Sequence, residues 1–271
     1  MSRALSLHHV TAMELSPPDL VSLASELGLR HVCLFTCIAP EAAEMFPVDW
    51  SARIVRETKA RCVDLGVKAH NLEWFDVTEA DQRDFHMRGL ELGRSLGART
   101  ATTHVLVADP SEAADRFGEF CDLAAQFDIA ACIEFTPIIG TPDLATTIPL
   151  IERAARPNGG IALDALHLLR SGGSVADIAA LDPRHIRSAQ ISDGPMQKPD
   201  MAAYVDETVY ERMIPGEGEF PLRELLAHVP ADVIIDVEVP LRGHQQRGLG
   251  PSERARLAVD GARRVLQGVD V

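Results

Sequence analysis

Four times in its first 130 residues the chain repeats one junction: an apolar helical residue, a residue suited to left-handed backbone, then a short apolar run. The junctions are Leu27-Gly28-Leu29, Leu65-Gly66-Val67, Leu96-Gly97-Ala98 and, with Asp replacing Gly, Phe127-Asp128-Ile129. They are 38, 31 and 31 residues apart. Glycine just past the last apolar helical position marks a helix end, because it takes the left-handed conformation without a side-chain clash. The stretch before the first junction shows the pattern. Ser16 suits an N-cap, Pro17 the first turn, and Leu20, Leu23, Ala24 and Leu27 form one apolar stripe. The following run, His31 to Phe35, is apolar on both parities, as expected for a strand of a parallel sheet covered on both faces. Continuing, strands are predicted near 5–10, 31–36, 67–72, 99–105, 129–135, 160–164, 186–191 and 233–239, with helices between them. Eight such units in 271 residues predict an α/β protein, a single (β/α)8 barrel spanning 1–271. The rival, an open doubly wound sheet, usually carries a glycine-rich first turn, and Leu5–Pro18 contains no glycine. The longest loop is expected over 193–220, after the seventh strand and over the C-terminal face.

Charge narrows the partners. Forty acidic residues against 26 basic leave a formal charge of −14, with no Lys/Arg run, so nucleic acid and anionic membrane are not expected partners. No apolar run approaches the roughly 18 residues that would span a bilayer, and Met1–Leu7 lacks the apolar core of a signal peptide. The five cysteines (Cys33, Cys37, Cys62, Cys121 and Cys132) are odd in number and scattered, a pattern of reduced thiols; a cytoplasmic location is expected.

The chemistry of such a barrel lies where its strands end. Strand five ends on Glu134, strand six on Asp164, strand seven on Gln190 and strand eight on Glu238. A buried carboxylate is costly unless it is paired or bound to a cation, and three converging ones also repel. One divalent metal held by Glu134, Asp164, Gln190 and Glu238 resolves both problems. An all-oxygen set suits Mn2+ or Mg2+, with Co2+ and Zn2+ as alternatives. Protonated carboxyls or basic partners, such as Lys68 beside Asp236, are the competing explanation, and Gln190 is alternatively a substrate contact. His70 and His104 end strands three and four and are candidate substrate contacts, as is His8 at the end of strand one. Trp74 and Phe75 are candidates for one wall of the site, or for the core.

These same residues carry a resemblance. Glu134 after an apolar strand, Asp164-Ala165-Leu166-His167, Gln190-Ile191-Ser192-Asp193-Gly194-Pro195, Arg212-Met213-Ile214-Pro215-Gly216-Glu217-Gly218 and the late strand with Glu238 resemble the xylose isomerase-like TIM-barrel superfamily of sugar phosphate isomerases and epimerases. The resemblance spans nearly the whole chain. It implies one divalent metal on the two glutamates, the aspartate and the strand-seven residue. It also implies a substrate contact at His167 and places Arg212 over the pocket, where it is a candidate contact for a substrate anion. Many members have histidine where Gln190 stands. Glutamine there resembles the 3-dehydroshikimate dehydratase branch, whose arginine-containing motif after strand three is replaced here by His70-Asn71-Leu72-Glu73-Trp74-Phe75. Homodimers or homotetramers are implied by the same resemblance.

The implied reaction is proton abstraction beside a carbonyl. The metal polarises the carbonyl and a neighbouring hydroxyl, and a carboxylate takes the α-proton to give an enediolate. Glu134 and Glu238 as base and acid make an isomerase or epimerase of a small keto sugar or polyol, the first expectation. Expulsion of a β-hydroxyl, with His167 as acid, makes a lyase instead: a dehydratase of a cyclic keto acid or inosose, or a keto-glycoside eliminase.

Overall fold

The computed structural model describes residues 3–267 and residue 269; the remaining ends of the expected 1–271 span, and the Met1–Ser2 part of the leader reading, lie outside these residues. Eight parallel strands close on themselves in sequence order: β1 Leu5–His8, β2 His31–Phe35, β3 Lys68–Val77, β4 Thr100–Val105, β5 Ala130–Glu134, β6 Gly159–Asp164, β7 Ile186–Ile191 and β8 Ile235–Val237. Helices follow the strands around the outside, from Pro17–Glu26 after β1 to Pro251–Leu266 after β8. The four junctions take left-handed backbone, φ 72° at Gly28, 64° at Gly66, 103° at Gly97 and 58° at Asp128. No described helix is long and apolar enough to cross a membrane. All five cysteines are buried and unbridged.

Strand parity divides the core. Leu7, Leu34, Leu72, Ala101, Ile133, Leu163, Ile191 and Val237 belong to the apolar layer between sheet and helices. The other parity faces the barrel axis, and there the chain places Ser6, His8, Cys33, Asn71, Thr102, Gln190 and Asp236, each at most 2% exposed. A barrel interior is commonly filled by branched aliphatics; this one is polar and holds itself together by hydrogen bonds. Asn71 Nδ2 donates to Thr102 Oγ1 at 3.0 Å and to Asp236 at 3.3 Å.

Three elements depart from expectation. β1 stops at His8, because His9–Ala12 winds into a 3-10 turn whose Val10 amide donates to His8 Nδ1. β3 runs ten residues instead of ending at 72. Two register shifts account for its extra length. One skips His70 between the pairs Val32–Ala69 and Cys33–Asn71; the other separates Leu72–Ala101 from Phe75–Thr103. Each bulge turns the following residues relative to simple alternation, so both His70 and Asn71 reach the interior. The 193–220 segment is not an extended loop. It contains the helix Met201–Val209, capped by Asp200, and an antiparallel bridge between Asp193 and Met213.

Candidate active site

Asp164 ends β6 and also caps the next helix: its Oδ1 accepts from the amides of Leu166 at 2.5 Å and His167 at 3.2 Å. That cap fixes the aspartate and swings His167, three residues on, to the same side. Asp164 and Gln190 pair in register across β6 and β7, and Gln190 pairs with Asp236, two residues below Glu238 on β8. Donor atoms of Glu134, Asp164 and His167 all lie within 4.8 Å of one another. All of these side chains are buried, from 0% exposure at Asp236 to 8% at Glu238.

Arg212, 3% exposed, crosses this group. Its Nη1 donates to Asp164 Oδ2 at 2.8 Å, its Nη2 to Glu238 Oε1 at 2.9 Å, and its Nε to the Thr208 carbonyl at 3.1 Å. Burial opposes the charged guanidinium, but Glu238 and Asp164 outweigh it and hold Arg212 charged. The arginine is delivered by a pinned turn. Asp193 Oδ1 accepts from Gly194 N and Phe220 N, and its Oδ2 from Gly216 N, over 2.8–3.0 Å. Gly216 sits at φ 87°, and a Cβ on Gly218 would stand 2.3 Å from Asp193 Oδ1. Those two positions therefore require glycine.

Glu134 is held from the other side. His104 Nε2 donates to Glu134 Oε2 at 2.9 Å while its Nδ1 lies 3.5 Å from Asp76 Oδ1. Burial alone would raise the Glu134 pKa, but the His104 hydrogen bond and the nearby His167, His104 and Arg212 bring it down to about 2. Glu238 behaves oppositely: burial drives its pKa up to about 8 against the pull of Arg212 and His8. His167 Nδ1 meets the Tyr204 hydroxyl at 2.7 Å, which meets Thr136 Oγ1 at 2.6 Å; burial lowers the His167 pKa, and the neighbouring Asp164 and Glu134 pull it back up.

The floor of the site is Glu73 on β3, 3% exposed. Its Oε1 accepts from Gln190 Nε2 and Asn71 Nδ2, each at 3.3 Å, and lies 3.4 Å from His8 Nε2. Burial raises the Glu73 pKa, with His8 opposing. Burial would likewise depress His8, but Glu238, Glu73 and Asp236 raise it to about 9.

The residues singled out from sequence thus divide. Glu134, Asp164, Gln190, Glu238, His167 and Arg212 surround one region, with His104 behind Glu134 and His8 at the floor. His70 does not reach that region. It lies lower in the barrel, its Nε2 3.0 and 3.1 Å from the Asp236 oxygens, and it lines a cavity with Arg99, Thr100 and Arg187. This is the partner Asp236 has in place of Lys68, whose position opening β3 is exposed. Trp74 stacks near His104, ring centres 5.6 Å apart, whereas Phe75 faces the helix layer against Phe120. Glu73, Tyr204, Thr136 and Asp76 were not foreseen. For Glu73 the available signal was a lone carboxylate within the apolar run Leu72-Glu73-Trp74-Phe75. Its meaning depended on β3 continuing past 72.

The donor set fits a divalent cation. Glu73, Glu134, Asp164 and Glu238 are four buried carboxyls beside one permanently charged arginine. Two buried oxygens here, Glu238 Oε2 and the amide oxygen Oε1 of neighbouring Gln190, have no hydrogen-bond partner, and buried polar atoms rarely stay unsatisfied. Glu134, Asp164, Glu238 and Gln190 would hold the ion, with His167 within reach.

Comparison with known proteins agrees with the barrel fold. The family model for the xylose isomerase-like TIM barrel matches residues 21–265. A 3-dehydroshikimate dehydratase of Pseudomonas aeruginosa is 30% identical over 192 residues, covering 65% of this chain and 29% of that protein. The chain therefore spans under a third of the length of that relative. Among solved structures, the IolI protein with a bound zinc atom superimposes with a TM-score of 0.79 at 16% identity, covering 100% of this chain and 99% of the other. A D-allulose 3-epimerase from Methylomonas sp. gives 0.70 at 14% identity, covering 98% and 99%.

Proposed function

This chain belongs to the xylose isomerase-like TIM-barrel family, and on that premise we propose that it is a divalent-metal-dependent enzyme removing a proton α to the carbonyl of a small polyhydroxylated substrate. The observation that carries this reading is the grouping of Glu134, Asp164 and His167, with donor atoms within 4.8 Å of one another, beside a Glu238 tied to the same Asp164 through Arg212 and beside unpartnered oxygens on Gln190 and Glu238. A divalent ion bound there supplies Lewis-acid polarisation of the carbonyl and of a neighbouring hydroxyl; Mn2+ and Mg2+ suit the oxygen-rich set best. Glu134 is the base. The His104 hydrogen bond to its Oε2 keeps it ionised and leaves Oε1 for the substrate side. His167 is anchored through Nδ1 by Tyr204, so its Nε2 is available to a leaving group or substrate hydroxyl.

Of the two fates of the resulting carbanion, loss of a β-hydroxyl, the chemistry of a carbon–oxygen lyase, is the reading we favour. It is supported by the dehydratase relative and by His167 standing within 4.8 Å of Glu134 and Asp164, where it can protonate a departing hydroxyl. Epimerisation or isomerisation is the second reading. It is favoured by Glu134 and Glu238 standing on the ends of β5 and β8, two buried carboxyls three strands apart that can serve as base and acid on opposite sides of a substrate.

The test uses Mn2+-loaded protein with ketoses, inososes and cyclic hydroxy-keto acids in D2O. Elimination is expected to give a growing conjugated-enone absorbance; epimerisation gives α-deuterated epimers without it. Protein that binds no divalent ion, or that exchanges no α-proton on any of these classes, sinks the proposal. Glu134→Gln is expected to lower turnover by about 100-fold or more.

A further inference from the structure

Gln190 is an unusual metal ligand because nothing in its own side chain fixes its amide. Three rotatable bonds separate the oxygen from the backbone, and the amide can present either end. The structure shows what fixes it. β3 and β7 stand opposite each other in the eight-strand barrel, and the Gln190 Nε2 donates across the axis to Glu73 Oε1 at 3.3 Å. A carboxylate oxygen accepts, so the amide end facing Glu73 is the NH2 end. Planarity then directs Oε1 away from Glu73, and that oxygen is the buried one left without a partner.

Glu73 is itself an anchored group. Its Oε1 also accepts from Asn71 Nδ2 at 3.3 Å and from the Cys33 thiol at 3.8 Å, with His8 Nε2 at 3.4 Å. His8, Cys33 and Glu73 offer atoms within 4.8 Å of one another, yet this trio is not a second metal site. The shared oxygen already accepts from donors on β2, β3 and β7, the arrangement of a carboxylate oxygen satisfied by hydrogen bonds rather than by a cation.

We infer that Glu73 is the positioning residue of the metal site: by holding the Gln190 amide across the barrel, it aims the glutamine oxygen at the ion. This rests on the metal-dependent reading of the site above. Partners behind a metal ligand typically tune affinity by about 10–100-fold.

The experiment titrates Mn2+ calorimetrically into metal-stripped wild type, Glu73→Ala, Glu73→Gln, Gln190→Ala and the Glu73→Ala/Gln190→Ala double variant. Glu73→Ala is expected to weaken Mn2+ binding by about 10–100-fold, as is Gln190→Ala. In the Gln190→Ala background Glu73→Ala should cost little more, because its effect passes through the glutamine. Glu73→Gln, isosteric and still offering an oxygen to the Gln190 NH2, should stay within about threefold of wild type; this variant decides the matter if the alanine variant does not fold. Equal losses from Glu73→Ala in both backgrounds, or a Glu73→Gln loss as large as that of Gln190→Ala, would show that charge alone is at work and overturn the inference. Wild type that takes up no Mn2+ overturns the metal reading itself and this inference with it. Wild-type affinity in Glu73→Ala overturns only the role of Glu73.

Discussion

Arg212 illustrates how one side chain can hold an acidic mouth together. Its guanidinium bridges Asp164 and Glu238 deep enough that water cannot substitute for it. Removing one partner of a buried ion pair leaves an uncompensated charge, which typically costs about 3–5 kcal/mol. Arg212→Ala should therefore lose about that much unfolding free energy in urea with a chelator present; a loss under about 1 kcal/mol, the range of surface pairs, would contradict the burial argument. From sequence Arg212 was expected to meet substrate. The structure shows its Nε, Nη1 and Nη2 engaged with the protein, so its first task is to shape the carboxylates. A second residue gives a pH signature. His9 is fully buried, in contact with the Leu15 carbonyl at 3.0 Å, and burial lowers its pKa from 6.5 to about 4. Above 6.5 neither state binds the proton. As pH falls from 6.5 toward 4 the unfolded chain takes it first, so stability is lost in that window. The contribution approaches about 1.4 kcal/mol per pH unit. His9→Gln should flatten the fall in urea-unfolding free energy between pH 6.5 and 4.5; an unchanged slope would refute it.

Among the elements, β3 and the turn behind Arg212 decide what the site becomes. The strands and their order were readable because helix ends repeat a chemical mark: left-handed backbone at Gly28, Gly66, Gly97 and Asp128. The ends of β3 were not, because a bulge spoils the two-residue period on which any strand reading depends. That is why His70 was placed at the mouth and Glu73 passed over. The Met201–Val209 helix was hidden for a different reason: its flanks are rich in proline, glycine and charge, and it is short. The turn 212–218 leans on the last helix, where a Cβ on Gly261 would lie 2.5 Å from Ile214 Cγ2 and 2.7 Å from the Pro215 carbonyl oxygen. A backbone atom cannot yield cheaply. Gly261→Ala is therefore expected to cost about 1–3 kcal/mol and to displace Arg212, seen as a weaker Mn2+ affinity alongside a lower melting temperature. Wild-type values for both would show that the turn adapts freely.

At the level of the whole molecule, metal and fold are expected to be linked. An ion that binds the folded barrel and not the unfolded chain stabilises it by about 2.7 kcal/mol at a hundred times its dissociation constant. Melting curves should shift upward with Mn2+ and return with chelator, and Asp164→Asn should reduce the shift. A melting point indifferent to Mn2+ across that range would argue against a site formed on folding. The amino-acid sequence alone determined the parallel βα alternation, the closure into eight units and the strand ends that carry Glu134, Asp164, Gln190 and Glu238. All of these follow from local periodicity and from which residue types tolerate helix ends. Only the tertiary structure decided which of those groups are tied to one another: Glu73 to Gln190 across the barrel, Arg212 to two carboxylates, His70 to Asp236 and Tyr204 to His167. Such pairings join residues as many as 166 positions apart. They are set by strand register and by the bulges of β3, which bring distant side chains together across the barrel and which no local pattern encodes.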